Sequence, residues 1–208
     1  MKHFTSTLNR SAIARDNLNF QIQKVSEMLL SDQEKNLIRN TFKFRRLRKN
    51  QYFVQEGELC KHVAFINQGA LRMFSVNDRG GEHIIRFGLE DAWIYDYESY
   101  NLDIPTMYFI EALEDSEILV VSKGEYSFLQ KLVPAVEVVN RKNDINYVID
   151  TQKRIHASIS QTAEDKYRSL ISSFPSLINR IPQAMIASYL GMTPATLSRI
   201  RKVLLHRD

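Results

Sequence analysis

Short apolar runs alternate with turn-forming residues between residues 42 and 121 of the chain. Runs of this length, separated by glycine, asparagine and aspartate, are typical of β-strands that pair with their neighbours. The pattern therefore predicts an antiparallel sandwich or roll. The predicted strands cover residues 52–54, 63–66, 71–76, 83–87, 107–112 and 118–121.

The first 40 residues predict one short helix. Ser31 is followed three residues later by Glu34, the spacing of a capping box, so a helix is expected from residue 32 to about residue 40. Residues 1–20 mix small polar residues with few apolar ones, and we expect this start to be frayed or loosely docked. After Ser122, a good N-cap residue, the pattern becomes helical.

A long helix is predicted from Pro134 to about Ile159. Seven positions on it recur at alternating spacings of three and four, which is the heptad pattern of a coiled coil. Five of the seven are apolar, so the pattern favours pairing of two copies of the helix, although a helix packed on its own domain would show a similar face. The seven positions are Val138, Arg141, Ile145, Val148, Gln152, Ile155 and Ile159.

Residues 182–205 predict two helices joined by a tight turn. Ile186 and Leu190 stand four residues apart and give the first helix one apolar face. Gly191 can adopt the left-handed conformation that ends a helix. Thr193 is a good N-cap and Pro194 suits a first helical position, so the second helix is expected to start almost at once.

The second helix is predicted to be amphipathic, with Leu197, Ile200 and Leu204 facing inward. Short side chains near its N-terminus allow close approach to the base edges of DNA, and an arginine can bind guanine through two hydrogen bonds. The sequence thus predicts a helix-turn-helix; an ordinary helical hairpin is the alternative. The predicted DNA-binding residues are Thr193, Ala195, Thr196, Ser198, Arg199, Arg201 and Lys202, with Arg199 reading bases and the last two contacting phosphates.

The positive charge of the chain is concentrated in its last 49 residues. The net charge is +4, yet residues 1–159 carry 21 basic and 21 acidic side chains. Residues 160–208 carry seven basic and three acidic side chains. A basic terminal module on a neutral body is typical of proteins that bind nucleic-acid phosphates, because cations release counterions condensed on the polyanion.

The chain resembles the Crp/Fnr family of bacterial regulators over nearly its whole length. The resemblance is carried by NRIPQAMIASYLGMTPATLSRIRK, by AEDKYRSLISSFP and by EGELCKHVAFINQGALRMFSVNDRGGEHIIRF. It implies an α+β fold with an N-terminal antiparallel β-roll of the cyclic-nucleotide-binding type, a long dimerisation helix and a C-terminal winged helix-turn-helix. The corresponding domains are residues 1–133, 134–160 and 161–208.

The resemblance also implies that Arg199 takes the place of the family's base-reading arginine. Pro194 and Ala195 stand where some members have an arginine and a glutamate, so the base preference of those members is not expected here. A chain that ends at Asp208 is expected to leave little room for a wing after the recognition helix.

The segment that would bind a cyclic nucleotide departs from the pattern of nucleotide-binding members. Tyr95 and Asp96 stand in place of their glycine and glutamate, and Thr106 and Met107 in place of their arginine and serine. Residues 82–117 hold ten carboxylates against one basic residue, Arg86, so the local field should repel a phosphate. We therefore expect no binding of cyclic AMP or cyclic GMP in the family manner.

Two alternatives remain for the interior of the roll. Its aromatic side chains can fill the pocket and leave a regulator without an effector, or they can bind an unknown apolar, uncharged or cationic small molecule. The residues of this candidate effector pocket are Phe87, Trp93, Tyr95, Asp96, Thr106, Met107 and Tyr108.

Other chemistry finds little support in the sequence. The single cysteine, Cys60, excludes a four-cysteine iron-sulfur cluster and suits a reducing cytoplasm; a metal held by Cys60, His62 and His83 is a minor alternative. No motif of a hydrolase, a nucleotide-binding loop or a zinc protease occurs, and no cofactor, enzyme activity or membrane association is expected.

The expected partners are double-stranded DNA, a second copy of the chain and RNA polymerase. The alternative function is a small-molecule or protein-binding roll whose helical tail mediates assembly.

Overall fold

The chain forms eight strands and nine helices in residues 2–205, the part that this computed structural model describes; side chains are described for residues 9–204. It divides into two units. The first contains the residues up to Met73 together with Phe87–Ile145, and the second contains Phe74–Arg86 and the residues from Asn146 onwards. This α+β architecture confirms the predicted fold class.

The eight strands form two four-stranded sheets, with strand orders β1-β8-β3-β6 and β2-β7-β4-β5. In the first sheet β3 pairs antiparallel with both β8 and β6, and β8 pairs antiparallel with β1. Six of the strands match the predicted runs; β1 and β6 were not predicted. The strands are β1 (Lys43–Leu47), β2 (Tyr52–Val54), β3 (His62–Gln68), β4 (Leu71–Val76), β5 (Glu82–Gly88), β6 (Trp93–Ile94), β7 (Phe109–Ala112) and β8 (Ser116–Ser122).

The N-terminal segment is a long docked helix, and the expectation of a frayed start is wrong. Helix α1 spans Lys2–Ser26. Ala14, Leu18 and Ile22 lie four residues apart and are fully buried, so one apolar stripe fixes the helix to its unit. The stripe was overlooked because small polar side chains surround it in the sequence.

Two short helices of the first unit begin with capping boxes. Helix α2 spans Asp32–Thr41 and confirms the predicted box, because the Ser31 side chain accepts a hydrogen bond from the Glu34 amide and the Glu34 carboxylate accepts one from the Ser31 amide. Helix α4 spans Lys123–Leu132 and has the same arrangement at Ser122 and Glu125. A third helix, α3, spans Tyr97–Leu102.

The long helix α5 spans Pro134–Ser160, in agreement with the predicted bounds. Its first turns are buried in the first unit through Ala135, Val136 and Val139. From Asn146 onwards the helix belongs to the second unit. The prediction of three domains with boundaries at residues 133 and 160 stays a prediction.

The second unit contains four further helices, α6 (Ala163–Ser173), α7 (Leu177–Arg180), α8 (Gln183–Tyr189) and α9 (Pro194–Leu205). Helix α6 begins with a capping box formed by Thr162 and Asp165. The buried side chains include Tyr167, Leu170 and Leu177. Residues 161–205 contain no strand, so a wing in this range is absent and any wing after α9 lies outside the described residues. Among the described helices, none is long and apolar enough to cross a membrane.

Strand β5 and helix α8 share a hydrogen-bonded hydroxyl in the second unit. The Ile84 amide donates to Ser188 Oγ over 3.1 Å, and the Ser188 hydroxyl donates to the Glu82 carbonyl over 3.2 Å. Because β5 lies at the edge of its sheet, these backbone groups have no neighbouring strand on that side. The Ser188 hydroxyl makes the hydrogen bonds that a neighbouring strand would otherwise make.

Candidate nucleic-acid interface and roll interior

The turn between α8 and α9 has the backbone geometry that the sequence predicts. Gly191 adopts a left-handed conformation with φ of +67°, and the Met192 amide donates to the Ala187 carbonyl over 3.0 Å. Thr193 caps α9, because its Oγ1 accepts a hydrogen bond from the Thr196 amide over 3.1 Å. Pro194 is the first residue of the helix. The turn therefore fixes the direction in which α9 leaves α8.

The facing sides of α8 and α9 are closely packed. Ile186 and Ala187 on α8 and Leu197 on α9 are all buried. Alanine at position 187 has only a methyl group, which allows the second helix to approach closely. Ile200 and Leu204 are half-buried, so they face inward as predicted but are less covered than Leu197.

The opposite side of α9 is open to solvent. Among the seven predicted DNA-binding residues, Thr196 and Arg201 are half-buried, and the Thr196 hydroxyl hydrogen-bonds the Thr193 hydroxyl over 2.9 Å. The other five side chains are exposed, namely Thr193, Ala195, Ser198, Arg199 and Lys202.

The cations of α9 are free to bind an anionic partner. Within the described part of the chain, Arg199, Arg201 and Lys202 form no ion pair. Unpaired exposed cations beside small side chains create a positive surface with room for another backbone. The side chains of this surface are small or positively charged, and both kinds are compatible with a DNA groove.

Several of the predicted effector-pocket residues have contacts within the first unit, and their role as a pocket stays a prediction. Trp93 packs its ring against Phe42, Phe65 and Tyr126, with centroid distances of 5.9, 5.3 and 5.8 Å. Phe42 follows helix α2 and Tyr126 lies in α4, so Trp93 joins the roll to its helices. The Trp93 side chain is half-buried, and its ring is engaged in these contacts. Phe87 and Tyr108 are half-buried.

Asp96 has a local structural role. Its carboxylate accepts a hydrogen bond from the Glu98 amide over 3.1 Å and caps helix α3. Its own amide donates to Cys60 Sγ over 3.4 Å. The side chain is buried, and one of its two carboxylate oxygens is engaged in the cap.

Tyr95 links the roll to the long helix within the first unit. Its ring lies 5.1 Å from that of Tyr100 and 6.0 Å from that of Tyr97. A hydrogen bond from Tyr95 reaches the Asp144 carboxylate of α5. Burial raises the pKa of Asp144, and the hydrogen bonds from Tyr95 and Asn140 oppose this shift. The Tyr95 side chain is thus engaged by α3 and α5 through its ring and its hydroxyl.

The positions of the expected phosphate clamp hold no cation. Thr106 is buried, and its Oγ1 accepts a hydrogen bond from the Tyr108 amide over 3.0 Å. Met107 is 58% exposed and points away from the interior. Neither side chain offers a positive charge to an anion.

One buried ion pair was missed in the sequence. Arg72 of β4 and Glu111 of β7 form a salt bridge of 2.7 Å, and their side chains are only 7% and 8% exposed. Glu117 is likewise paired with Arg10 over 2.9 Å. The field near the roll is therefore less negative than a count of residues 82–117 suggests, since three of its ten carboxylates form ion pairs with cations from outside that segment, the third being Asp103 with Lys123 over 2.9 Å. The sequence feature that indicates this pair is Arg72, a single arginine within the apolar run 71–76, which needs a partner if it is buried.

The candidate metal ligands do not form a site. Cys60 is 2% exposed, and burial raises the pKa of its thiol to about 11. The His83 ring hydrogen-bonds Asn77 over 2.9 Å. Among the described residues, no group of three histidine, cysteine, aspartate or glutamate side chains is arranged to hold a metal ion. His156 of α5 is exposed.

Comparison with known proteins identifies the roll. Residues 44–131 match the family model of the cyclic nucleotide-binding domain. This segment contains β2 to β8 and nearly all of β1 and α4. No curated protein sequence matches the chain.

Solved structures share the fold over most of the chain. FixK2 from Bradyrhizobium japonicum is 16% identical, with a TM-score of 0.69 over 80% of this chain and 85% of that one. A CooA mutant from Carboxydothermus hydrogenoformans is 15% identical, with a TM-score of 0.65 over 89% and 84%. A protein described as a transcriptional regulator of the Crp/Fnr family from Eubacterium rectale is 16% identical, with a TM-score of 0.62 over 86% and 85%.

Proposed function

We propose that this protein is a sequence-specific DNA-binding regulator of transcription that acts as a homodimer. Two findings support this proposal: residues 44–131 match the cyclic nucleotide-binding domain, and the chain has the fold of the Crp/Fnr-type transcription regulators. The observation that carries the proposal is the exposed side of α9. There Arg199 and Lys202 stand without ion-pair partners in the described part of the chain, beside the small residues Ala195 and Ser198. A helix of this kind fits the major groove.

An apolar stripe on α5 supports dimerisation. The exposed fractions of Ile145, Val148, Ile155 and Ile159 are 52, 54, 56 and 80%, and Gln152 between them is exposed as well. Four large apolar side chains at heptad spacing on one helix make a poor solvent-facing surface. A second copy of the helix would bury them. Val138 is half-buried in its own unit, so the paired segment begins near Ile145.

The roll is proposed to bind neither cyclic AMP nor cyclic GMP. Its candidate ligand contacts are used internally, since Asp96 caps α3, Thr106 bonds to Tyr108, and Tyr95 bonds to Asp144. RNA polymerase is proposed as a further partner and the cytoplasm as the location, both in keeping with regulation of transcription rather than with an enzyme activity.

Selection of bound sites from random duplexes tests the proposed function. The expected product is an inverted repeat with half-site centres about one DNA turn apart, because two recognition helices related by a dimer axis enter neighbouring major grooves. Affinity should fall steeply as salt rises. Recovery of no enriched sequence, together with no salt-dependent affinity for any duplex, would refute the proposal.

A further inference from the structure

The second unit contains an open cavity that the proposed DNA contacts do not use. Its volume is about 480 Å³, and it lies between the C-terminal half of α5 and the end of α8. Two cations line it, Arg154 from α5 and Lys166 from α6, and none of the described lining residues is acidic. Pockets of this size hold small organic molecules.

Both cations keep hydrogen-bond donors available. The Lys166 ammonium donates to the Ser158 carbonyl over a long 3.5 Å, which leaves its other protons free. The Arg154 guanidinium stacks over the Tyr189 ring, with 4.5 Å between its central carbon and the ring centroid, and donates through one nitrogen to the Ile85 carbonyl. Its remaining N–H groups have no partner among the described residues.

The rest of the wall is largely apolar. Ile155 and Leu190 contribute aliphatic side chains, and Tyr189 contributes its ring. Hydroxyl groups at the rim already donate internally, from Thr151 to the Tyr147 carbonyl over 2.8 Å and from Ser158 to the Ile155 carbonyl over 2.7 Å. The charged donors offered to a ligand are those of Arg154 and Lys166, and the apolar part of a ligand would contact Leu190 and the Tyr189 ring.

We propose that this cavity binds a small organic anion, with a carboxylate or phosphate monoester held between Arg154 and Lys166 and an apolar body against Leu190 and the Tyr189 ring. Charge-assisted hydrogen bonds to the anion are the strong interactions of such a site, and the absence of a competing carboxylate in its described lining preserves them.

Occupancy is coupled to the helix-turn-helix through Arg154. The same guanidinium contacts Tyr189, the last residue of α8, and the Ile85 carbonyl of β5. An anion that draws Arg154 toward the cavity weakens these contacts and changes the support of the turn at Gly191. This second step rests on the proposed function, because its readout is DNA affinity.

Calorimetry on the free full-length protein tests the site independently of DNA. The probes are phenyl phosphate and benzoate, with inorganic phosphate and neutral benzyl alcohol for comparison. Either aromatic anion should bind, and Lys166→Gln and Arg154→Gln should each weaken that binding at least tenfold. Lys153→Gln removes a cation from the adjacent helix position outside the cavity and should leave it unchanged. Thermal melts verify that each variant folds.

Several results would overturn the site. These are no binding of either aromatic anion, equal binding by all variants, or equal binding of benzyl alcohol. A loss of DNA affinity in Lys166→Gln without any anion binding would assign these cations to the DNA backbone instead. If anion binding holds but the selected duplex is bound equally with and without the anion, the coupling is wrong and the site remains. Loss of all DNA binding would leave the calorimetric result standing.

Discussion

Arg199 and Lys202 share one exposed face of α9 but are expected to contact DNA differently. An arginine that reads a base contributes to discrimination, whereas a lysine on a phosphate contributes equally to all sequences. Arg199→Ala should cost about 1–3 kcal/mol of binding free energy on the selected site and relax the preference at one base pair. Binding isotherms on the selected site and on single-base variants measure both effects.

Lys202→Ala is the matched control for this prediction. It should weaken binding to specific and random duplexes alike. It should also reduce the slope of log affinity against log salt concentration by about one. An equal loss on specific and random DNA after Arg199→Ala would remove the base-reading role of Arg199.

The Cys60 thiol is predicted to be unreactive in the folded protein. Its pKa of about 11 leaves little thiolate at pH 8, and its 2% exposure denies access to a reagent. The rate of modification by a disulfide reagent at pH 8 should be roughly a hundredfold lower than in denaturant. Equal rates in the two states would contradict the buried position. Cys60→Ser provides the blank.

Some residue roles could be predicted from sequence and others could not. Gly191 and Thr193 were predictable, because one left-handed position and one cap are local requirements of a tight turn. Trp93 and Asp96 were predicted to line an effector pocket, and the structure shows Trp93 in ring contacts and Asp96 as a helix cap. Their roles depend on Phe65 and on the α3 backbone, which are brought to them by the tertiary fold.

At the level of single elements, the turn before α9 allows a direct test. In Gly191→Ala the added Cβ would have no atom within 4 Å. Any loss of stability therefore comes from the φ of +67° alone. The substitution should lower the free energy of unfolding by about 1 kcal/mol, because an L-residue is strained in that region. Chemical denaturation of the two proteins measures the difference.

Gly124→Ala is the matched control for the turn. It also meets open space, but it lies inside α4 at an ordinary φ. At this position alanine should leave the free energy of unfolding unchanged or raise it by up to about 1 kcal/mol. If both variants were equally destabilised, the left-handed conformation would not be the cause.

The exposed stripe of α5 predicts the oligomeric state. Val148→Glu puts a charge into the middle of the proposed helix pair and should convert a dimer into a monomer, because a buried unpaired carboxylate is costly. Light scattering after size-exclusion chromatography gives the mass directly. Asn146→Glu, an exposed change off the heptad positions, should leave the dimer intact. A monomeric parent protein would rule out this interface.

The helices differ in how well the sequence predicts them. The bounds of α2 and α5 were predictable from a capping box and from an N-terminal proline. Helix α1 was missed because its buried positions, Ala14, Leu18 and Ile22, include only two large apolar residues. Its docking is a tertiary effect that local composition does not indicate.

For the whole molecule, we predict that cyclic AMP and cyclic GMP do not bind. Calorimetry at millimolar nucleotide should show no saturable heat, since the clamp positions Thr106 and Met107 carry no charge and the Tyr95 hydroxyl is hydrogen-bonded to Asp144. Micromolar binding that is abolished by substitution of Tyr95 would contradict the prediction. The melting temperature should likewise be unaffected by either nucleotide.

The overall fold was largely predictable because its signals are periodic and repeated along the chain. Six strands, the long helix and the helix-turn-helix each have a pattern of apolar positions that a single residue cannot disturb. The interior of the roll was less predictable. The Arg72 and Glu111 pair joins residues 39 positions apart, and charge counts along the sequence cannot show such partners.

The hydroxyl of Ser188 has a consequence for the solution behaviour of the protein. It occupies the one side of β5 on which another polypeptide chain could add as a further strand, at the amide of Ile84 and the carbonyl of Glu82. Ser188→Ala exposes these two backbone groups at the edge of β5. The variant should therefore precipitate or form fibrous aggregates at concentrations at which the parent protein remains in solution. Helix α8 thus covers the edge of a sheet in addition to packing against α9.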